Sequence, residues 1–210
     1  MADVKICGLS TPETMDAALD AGADFVGLMF FAKSPRNVTL RHAAELAERA
    51  RGRATVVTVT VSADDVLLMS IAENVRPDLI QAHGDETPER ITEMARLTGI
   101  GVYKVLKVRT AEHVAKASAF VTCPFIMFDA MPPEGAVLPG GNGLAFDWTI
   151  LRDAARPYML AGGLNPGNVA EAIRVTGAAM VDVSSGVESA PGIKDSGLIR
   201  KFIEAAKAAR

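Results

Sequence analysis

The sequence reads as an α/β protein, a single (β/α)8 TIM barrel forming one catalytic domain over residues 1–210. Short apolar runs rich in β-branched residues recur eight times, and helical patterns fill most of the gaps between them. The runs are continuous more than alternating, as expected of parallel strands covered on the outside by helices. Eight strands alternating with helices is the (β/α)8 arrangement, and 210 residues lies near the low end of its range. An open doubly wound sheet is the plain rival. Its dinucleotide-binding form is weakened because no Gly-x-Gly-x-x-Gly follows the first strand.

The strands are expected near residues 4–7, 25–30, 55–61, 79–83, 102–106, 125–130, 158–161 and 180–184. Between the first two, Met15, Ala18, Leu19 and Gly22 fall at helical spacing; Ala43, Leu46, Ala47 and Ala50 do so after the second. Leu198, Ile199, Phe202, Ile203 and Ala206 mark the last helix. Thr11-Pro12, Thr87-Pro88 and Asn165-Pro166 each put a capping side chain before a proline at the first helical position. Residues 131–143 hold Pro132, Pro133, Pro139 and four glycines; lying after the sixth strand, they read as a long loop over the site rather than a linker.

Composition narrows the function. Hydrophobic residues make up 49% and charged residues 22%, ordinary for a soluble enzyme. A net charge of −3 without a Lys/Arg run, and only 5% aromatic residues, argue against nucleic acid as a partner. Cys7 and Cys123 form no paired motif, which suits a reducing compartment and carries no zinc or redox signature. No apolar run reaches the ~20 residues that a membrane span needs. The N-terminus carries no signal-peptide pattern, so a cytoplasmic location is expected. Monomer and homodimer both stay open.

The most informative stretches are Tyr158-Met-Leu-Ala-Gly-Gly-Leu-Asn-Pro-Gly-Asn-Val169 and Met180-Val-Asp-Val-Ser-Ser-Gly-Val-Glu188. Each apolar run ends in small residues that let backbone N–H groups approach a ligand, and each leads towards a helical signal. In a barrel the loops after the last two strands form a phosphate cup, so a phosphorylated small molecule is the expected partner.

Catalytic groups belong at the C-terminal strand ends. Three titratable groups stand there: Cys7, His83 and Asp129. Alternation puts Lys5 and Cys7 on one face and Val4 and Ile6 on the other, so Lys5 should point inward and favour a Cys7 thiolate acting as a base. A small buried core cysteine is the equal alternative. Asp129 ends an apolar run; burial would raise its pKa and suit it to be an acid, where a turn-capping role is the plain option. His83 fits a proton shuttle, a hydroxyl ligand or a packing role. His42 and His113 fall in helical patterns and should face solvent. Arg36 offers a planar fork for a carboxylate, although taken alone it reads as a solvated arginine. Asp182 should share the inner face of strand eight and pair with Lys5 where the barrel closes.

These residues resemble the phosphoribosylanthranilate isomerase family, the Amadori isomerases of tryptophan biosynthesis. The resemblance runs from Lys5-Ile-Cys-Gly8 to about Asp195 and includes Phe30-Phe-Ala-Lys-Ser-Pro-Arg36, Gln81-Ala-His-Gly84, Asp129, Gly140-Gly-Asn-Gly-Leu-Ala-Phe-Asp-Trp148 and Pro191-Gly-Ile-Lys-Asp195. Ala82 and Val105-Leu106 depart from the usual residues. The resemblance implies that Cys7 is the general base, Asp129 the general acid and Arg36 the holder of the anthranilate carboxylate. It implies phosphate contacts around Gly141, Gly163, Ser185 and Gly186, a substrate contact at His83, and no metal or redox cofactor. The rivals are the histidine-pathway aminoaldose isomerase, which prefers two aspartates; a Schiff-base aldolase using Lys104 or Lys107; and a phosphosugar-binding protein without turnover.

Overall fold

The computed structural model describes residues 1–131, 146–152, 154 and 157–209. Eight strands close in chain order into a parallel barrel: β1 (Asp3–Cys7), β2 (Phe25–Phe30), β3 (Thr55–Thr60), β4 (Leu79–Ala82), β5 (Gly101–Val108), β6 (Ile126–Ala130), β7 (Tyr158–Leu160) and β8 (Met180–Val183). Each expected strand is present within two residues at either end. The helices are α1 (Pro12–Asp20), α2 (Leu40–Ala50), α3 (Asp65–Asn74), α4 (Pro88–Thr98), α5 (Ala111–Ala115), α6 (Val169–Thr176) and α7 (Ser196–Ala208). Among the described residues, no helix is long and apolar enough to cross a membrane.

Local chemistry explains most of these boundaries. Thr11 and Thr87 cap α1 and α4 by accepting from Thr14 N and Arg90 N, with a proline opening each helix. A lost cap of this kind costs about 0.5–2 kcal/mol. The third expected start differs. Asn165-Pro166 opens a turn, where Asn165 Oδ1 accepts from Gly167 N, and α6 begins only at Val169. Between β6 and β7 the described residues include a short 3-10 turn, Trp148–Leu151. His42 is half-buried rather than solvent-facing, its Nε2 lying 2.8 Å from the Ser10 carbonyl; His113, also half-buried, has Nδ1 2.8 Å from Thr110 Oγ1.

Apolar residues sort into two layers. Val4, Ile6, Val26, Leu28, Ile80 and their like pack outward against the helices, while Val57, Tyr103, Val105, Phe125, Met127, Met159 and Ala161 fill the barrel interior. Lys5 pairs in register with Asp182 and Cys7 with Gly27, which brings the polar residues of β1 inside as alternation requires. Between β8 and α7 the chain makes a 3-10 turn (Ser185–Val187) and then an antiparallel hairpin, β9 (Glu188–Ala190) and β10 (Ile193–Lys194). Pro191-Gly192, with Gly192 at φ +82, is the turn signal that marks it in the sequence.

Candidate active site

On the β1 side, Cys7 is 4% exposed at the strand tip. A Cβ built on Gly27 would sit 3.0 Å from Cys7 Sγ and 3.2 Å from Lys5 Nζ, so the glycine in β2 makes room for both. Lys5, fully buried, donates to Asp182 Oδ1 at 2.7 Å, the expected pairing across the closure of the barrel. Burial opposes the charge on Lys5, yet Asp182, Cys7 and Tyr103 together outweigh it and raise the pKa of the lysine. The thiol behaves otherwise than expected. Burial pushes the Cys7 pKa up by more than the nearby Lys5 draws it down, and the Asp182 carboxylate adds to the rise.

Arg36 is not a solvated arginine. It is 5% exposed and lies across the tip of β1, where a Cβ on Gly8 would meet its Cδ at 2.6 Å. Its Nε and Nη2 donate to the two carboxylate oxygens of Glu188 at 2.6 and 2.7 Å. Lys194 Nζ donates to Glu188 Oε1 at 2.7 Å and to the Ser184 carbonyl at 2.9 Å, tying the hairpin to the end of β8. Burial pushes the Glu188 carboxyl up, but Arg36 and Lys194 prevail and hold its pKa at about 2. Sequence reasoning missed both Glu188 and Lys194 as site residues. A guanidinium has five N–H donors, and among the described residues the bonds of Arg36 to Glu188 use only Nε and Nη2, which leaves the Nη1 edge as one that a second carboxylate could approach.

On the opposite side Asp129, 6% exposed, ends the inner face of β6. Its Oδ2 lies 3.3 Å from His83 Nε2, an ion-pair distance without hydrogen-bond alignment. Oδ1 lies on the side of Gly162, 3.0 Å from where that residue's Cβ would be. Of the two candidate amines, Lys104 lies between Tyr103 and Val105 in the strand and so points away from the interior they fill. It is held by Glu86 Oε2 at 3.0 Å and the Gly84 carbonyl at 2.6 Å. Lys107 is half-buried and in register with Asp129.

The two glycine-bearing tips do lie side by side. A Cβ on Gly186 would fall 1.9 Å from the Leu164 carbonyl oxygen, so only glycine allows the loops after β7 and β8 to touch. Gly163, at φ +67, offers its carbonyl to Asn168 Nδ2 at 3.0 Å, and Asn168 Oδ1 accepts from Asn165 N at 2.8 Å. Ser185 opens the 3-10 turn that contains Gly186. The second tip therefore leads into a single turn and the hairpin rather than directly into a helix. Gly141 and most of residues 131–143 lie outside the described residues.

With this geometry in view, known proteins give a consistent match. The family model described as N-(5'phosphoribosyl)anthranilate (PRA) isomerase matches residues 4–205. An N-(5'-phosphoribosyl)anthranilate isomerase of Rhodopseudomonas palustris is 56% identical over 209 residues, covering 98% of this chain and 96% of the relative. The solved phosphoribosyl anthranilate isomerase of Thermotoga maritima superposes with a TM-score of 0.88 at 35% identity, covering 99% of both chains. Another solved isomerase of this kind, in complex with reduced 1-(o-carboxyphenylamino)-1-deoxyribulose 5-phosphate, superposes with a TM-score of 0.86 at 33% identity, again covering 99% of both.

Proposed function

Because the chain belongs to the N-(5'-phosphoribosyl)anthranilate isomerase family, aldose–ketose isomerases of tryptophan biosynthesis, we propose that Cys7 and Asp129 divide its acid–base chemistry. The observation that carries this reading is their placement. Both are buried side chains at the C-terminal tips of strands, β1 and β6, and both belong to the inner face. Asp129 gives a proton to the furanose oxygen as the C1–O bond breaks, and the anthranilate nitrogen supplies electrons to form an iminium ion. The Cys7 thiolate takes the proton from C2 of the ribose, and the C–H electrons move in to give the enolamine. Tautomerisation yields the ketone. Passing a proton from the thiol back to the carboxylate resets the site, so no proton is gained or lost overall.

The ends of the substrate are held apart. Backbone groups around Gly163, Ser185 and Gly186, with Gly141, receive the phosphate. The Nη1 edge of Arg36 receives the anthranilate carboxylate while Glu188 keeps the other edge. His83 reaches towards the ribose beside Asp129. The bound reduced product of the solved relative carries both a carboxyphenyl group and a phosphate, which supports a two-ended clamp of this kind. Such positioning contributes up to ~7–11 kcal/mol, more than the ~10²–10⁴-fold of a single acid or base.

The test is steady-state conversion of freshly generated phosphoribosylanthranilate by the wild type, Cys7→Ser and Asp129→Asn. Turnover by the wild type is expected, with kcat at least ~10²-fold lower in each variant while folding is kept. Near-normal turnover by either variant removes that residue from its role. Running the histidine-pathway aminoaldose in parallel tests the second substrate.

A further inference from the structure

Behind Asp129 runs a line of buried polar groups that the acid–base pair leaves unexplained. The Tyr103 hydroxyl donates to Gln81 Oε1 at 2.7 Å. Gln81 Nε2 lies 3.3 Å from His83 Nδ1, and His83 Nε2 lies 3.3 Å from Asp129 Oδ2. Tyr103 is fully buried, and Gln81 is 1% exposed. The four groups come from the inner faces of three neighbouring strands, β4, β5 and β6, with His83 just past the end of β4.

What each group can donate decides where the hydrogens are. With its carbonyl taken by Tyr103, Gln81 turns its NH2 towards His83. An NH2 offers no lone pair, so His83 Nδ1 must accept. A neutral imidazole whose Nδ1 is unprotonated carries its proton on Nε2, the atom that faces Asp129. Burial raises the pKa of Tyr103 and keeps its hydroxyl a donor. The whole line is self-consistent from the phenol to the carboxyl group.

Building on the assignment of Asp129 as the acid, we propose that Gln81, oriented by Tyr103, is a positioning residue that fixes His83 as the Nε2–H tautomer and so selects the oxygen of Asp129 that delivers the proton. Oδ2 faces an N–H and holds no proton against it. The acid proton therefore sits on Oδ1, on the side of Gly162. After transfer, the Nε2–H stabilises the new carboxylate. The present 3.3 Å contact is not aligned as a hydrogen bond, and hydrogen bonds of this kind tighten as charge develops.

The experiment uses the full chain labelled with 15N-histidine; there are three histidines, and His83→Asn assigns the signal. Above the histidine titration, wild-type His83 should show an unprotonated Nδ1 and a protonated Nε2. In Gln81→Glu the new carboxylate can only accept, so it favours a proton on Nδ1, and the freed Nε2 lone pair of that tautomer competes for the acid proton. The tautomer should invert or become imidazolium, with kcat at least ~10-fold lower, KM within about threefold and a shifted pH profile. Tyr103→Phe removes one hydroxyl with little change of shape and covers the case where the buried glutamate prevents folding; mixed tautomers and a partial loss of kcat are expected. A wild-type His83 protonated on Nδ1 overturns the proposal, as does a wild-type tautomer and kcat in both variants. Normal turnover by Asp129→Asn would instead overturn the acid assignment, and leave the tautomer as a structural fact without that use.

Discussion

Cys7 shows how far a residue's chemistry depends on its neighbours. A thiol with an ordinary pKa of about 8.5 is a weak base at neutral pH, and burial here pushes it higher. Lys5 pulls the other way but is shared with Asp182, so the base role proposed for Cys7 requires its thiolate to be stabilised chiefly when substrate displaces water and brings its own iminium charge. Arg36 is better prepared, since Glu188 holds its fork in place before any ligand arrives. Arg36→Ala should therefore act mainly on binding. Loss of a charged hydrogen bond of ~1.5–3 kcal/mol corresponds to a KM raised roughly 10–150-fold with a smaller change in kcat. An unchanged KM would leave Arg36 with a structural partner, Glu188, and no substrate contact.

The hairpin β9–β10 is a small element with a large electrostatic share. Glu188 has a folded pKa of about 2 against an ordinary 4.5, so its contribution to stability is present above pH 4.5 and is lost as pH falls towards 2. Urea unfolding across that window should show wild-type stability dropping with acid, and Glu188→Gln should show a shallower drop from a lower starting value. Parallel curves for the two proteins would mean that the Arg36–Glu188–Lys194 cluster does not govern this titration. The neighbouring turn depends on shape instead of charge. Gly186→Ala would drive a methyl group into the Leu164 carbonyl, so the loops after β7 and β8 must part. Inorganic phosphate should then inhibit turnover less well and KM should rise. Wild-type inhibition by phosphate in this variant would move the phosphate away from the Gly186 turn.

The closed barrel places a lysine–aspartate pair, Lys5–Asp182, at its seam, where β8 meets β1. Breaking one side of a buried pair costs about 3–5 kcal/mol, because a charge is left without a partner in an apolar interior. Lys5→Met should lower stability by that order, and adding Asp182→Leu should restore most of it, as read by denaturant unfolding. A loss below about 1 kcal/mol for Lys5→Met would place the pair among the weak ones. The same inner face carries Lys5 and Cys7 two residues apart on β1.

Much of this molecule is legible from the chain because the relevant forces are local. Periodicity sets the strands and helices, threonine–proline pairs start α1 and α4, and alternation alone turns Lys5, Cys7 and Asp182 inward. Motifs resembling the family's single out Cys7, Arg36 and Asp129 as candidates. Asn165-Pro166 misleads because its side chain can bond its own turn as readily as cap a helix. The grip of Glu188 on Arg36 spans 152 residues of sequence, and nothing near either residue announces it. Lys194 sits on strands too short to show a period. The meeting of His83 with Asp129, and the burial that outweighs Lys5 at Cys7, exist only once the strands have closed. Periodicity and caps act within a few residues, whereas desolvation and ion pairing depend on which distant groups the closed barrel brings into one water-poor space.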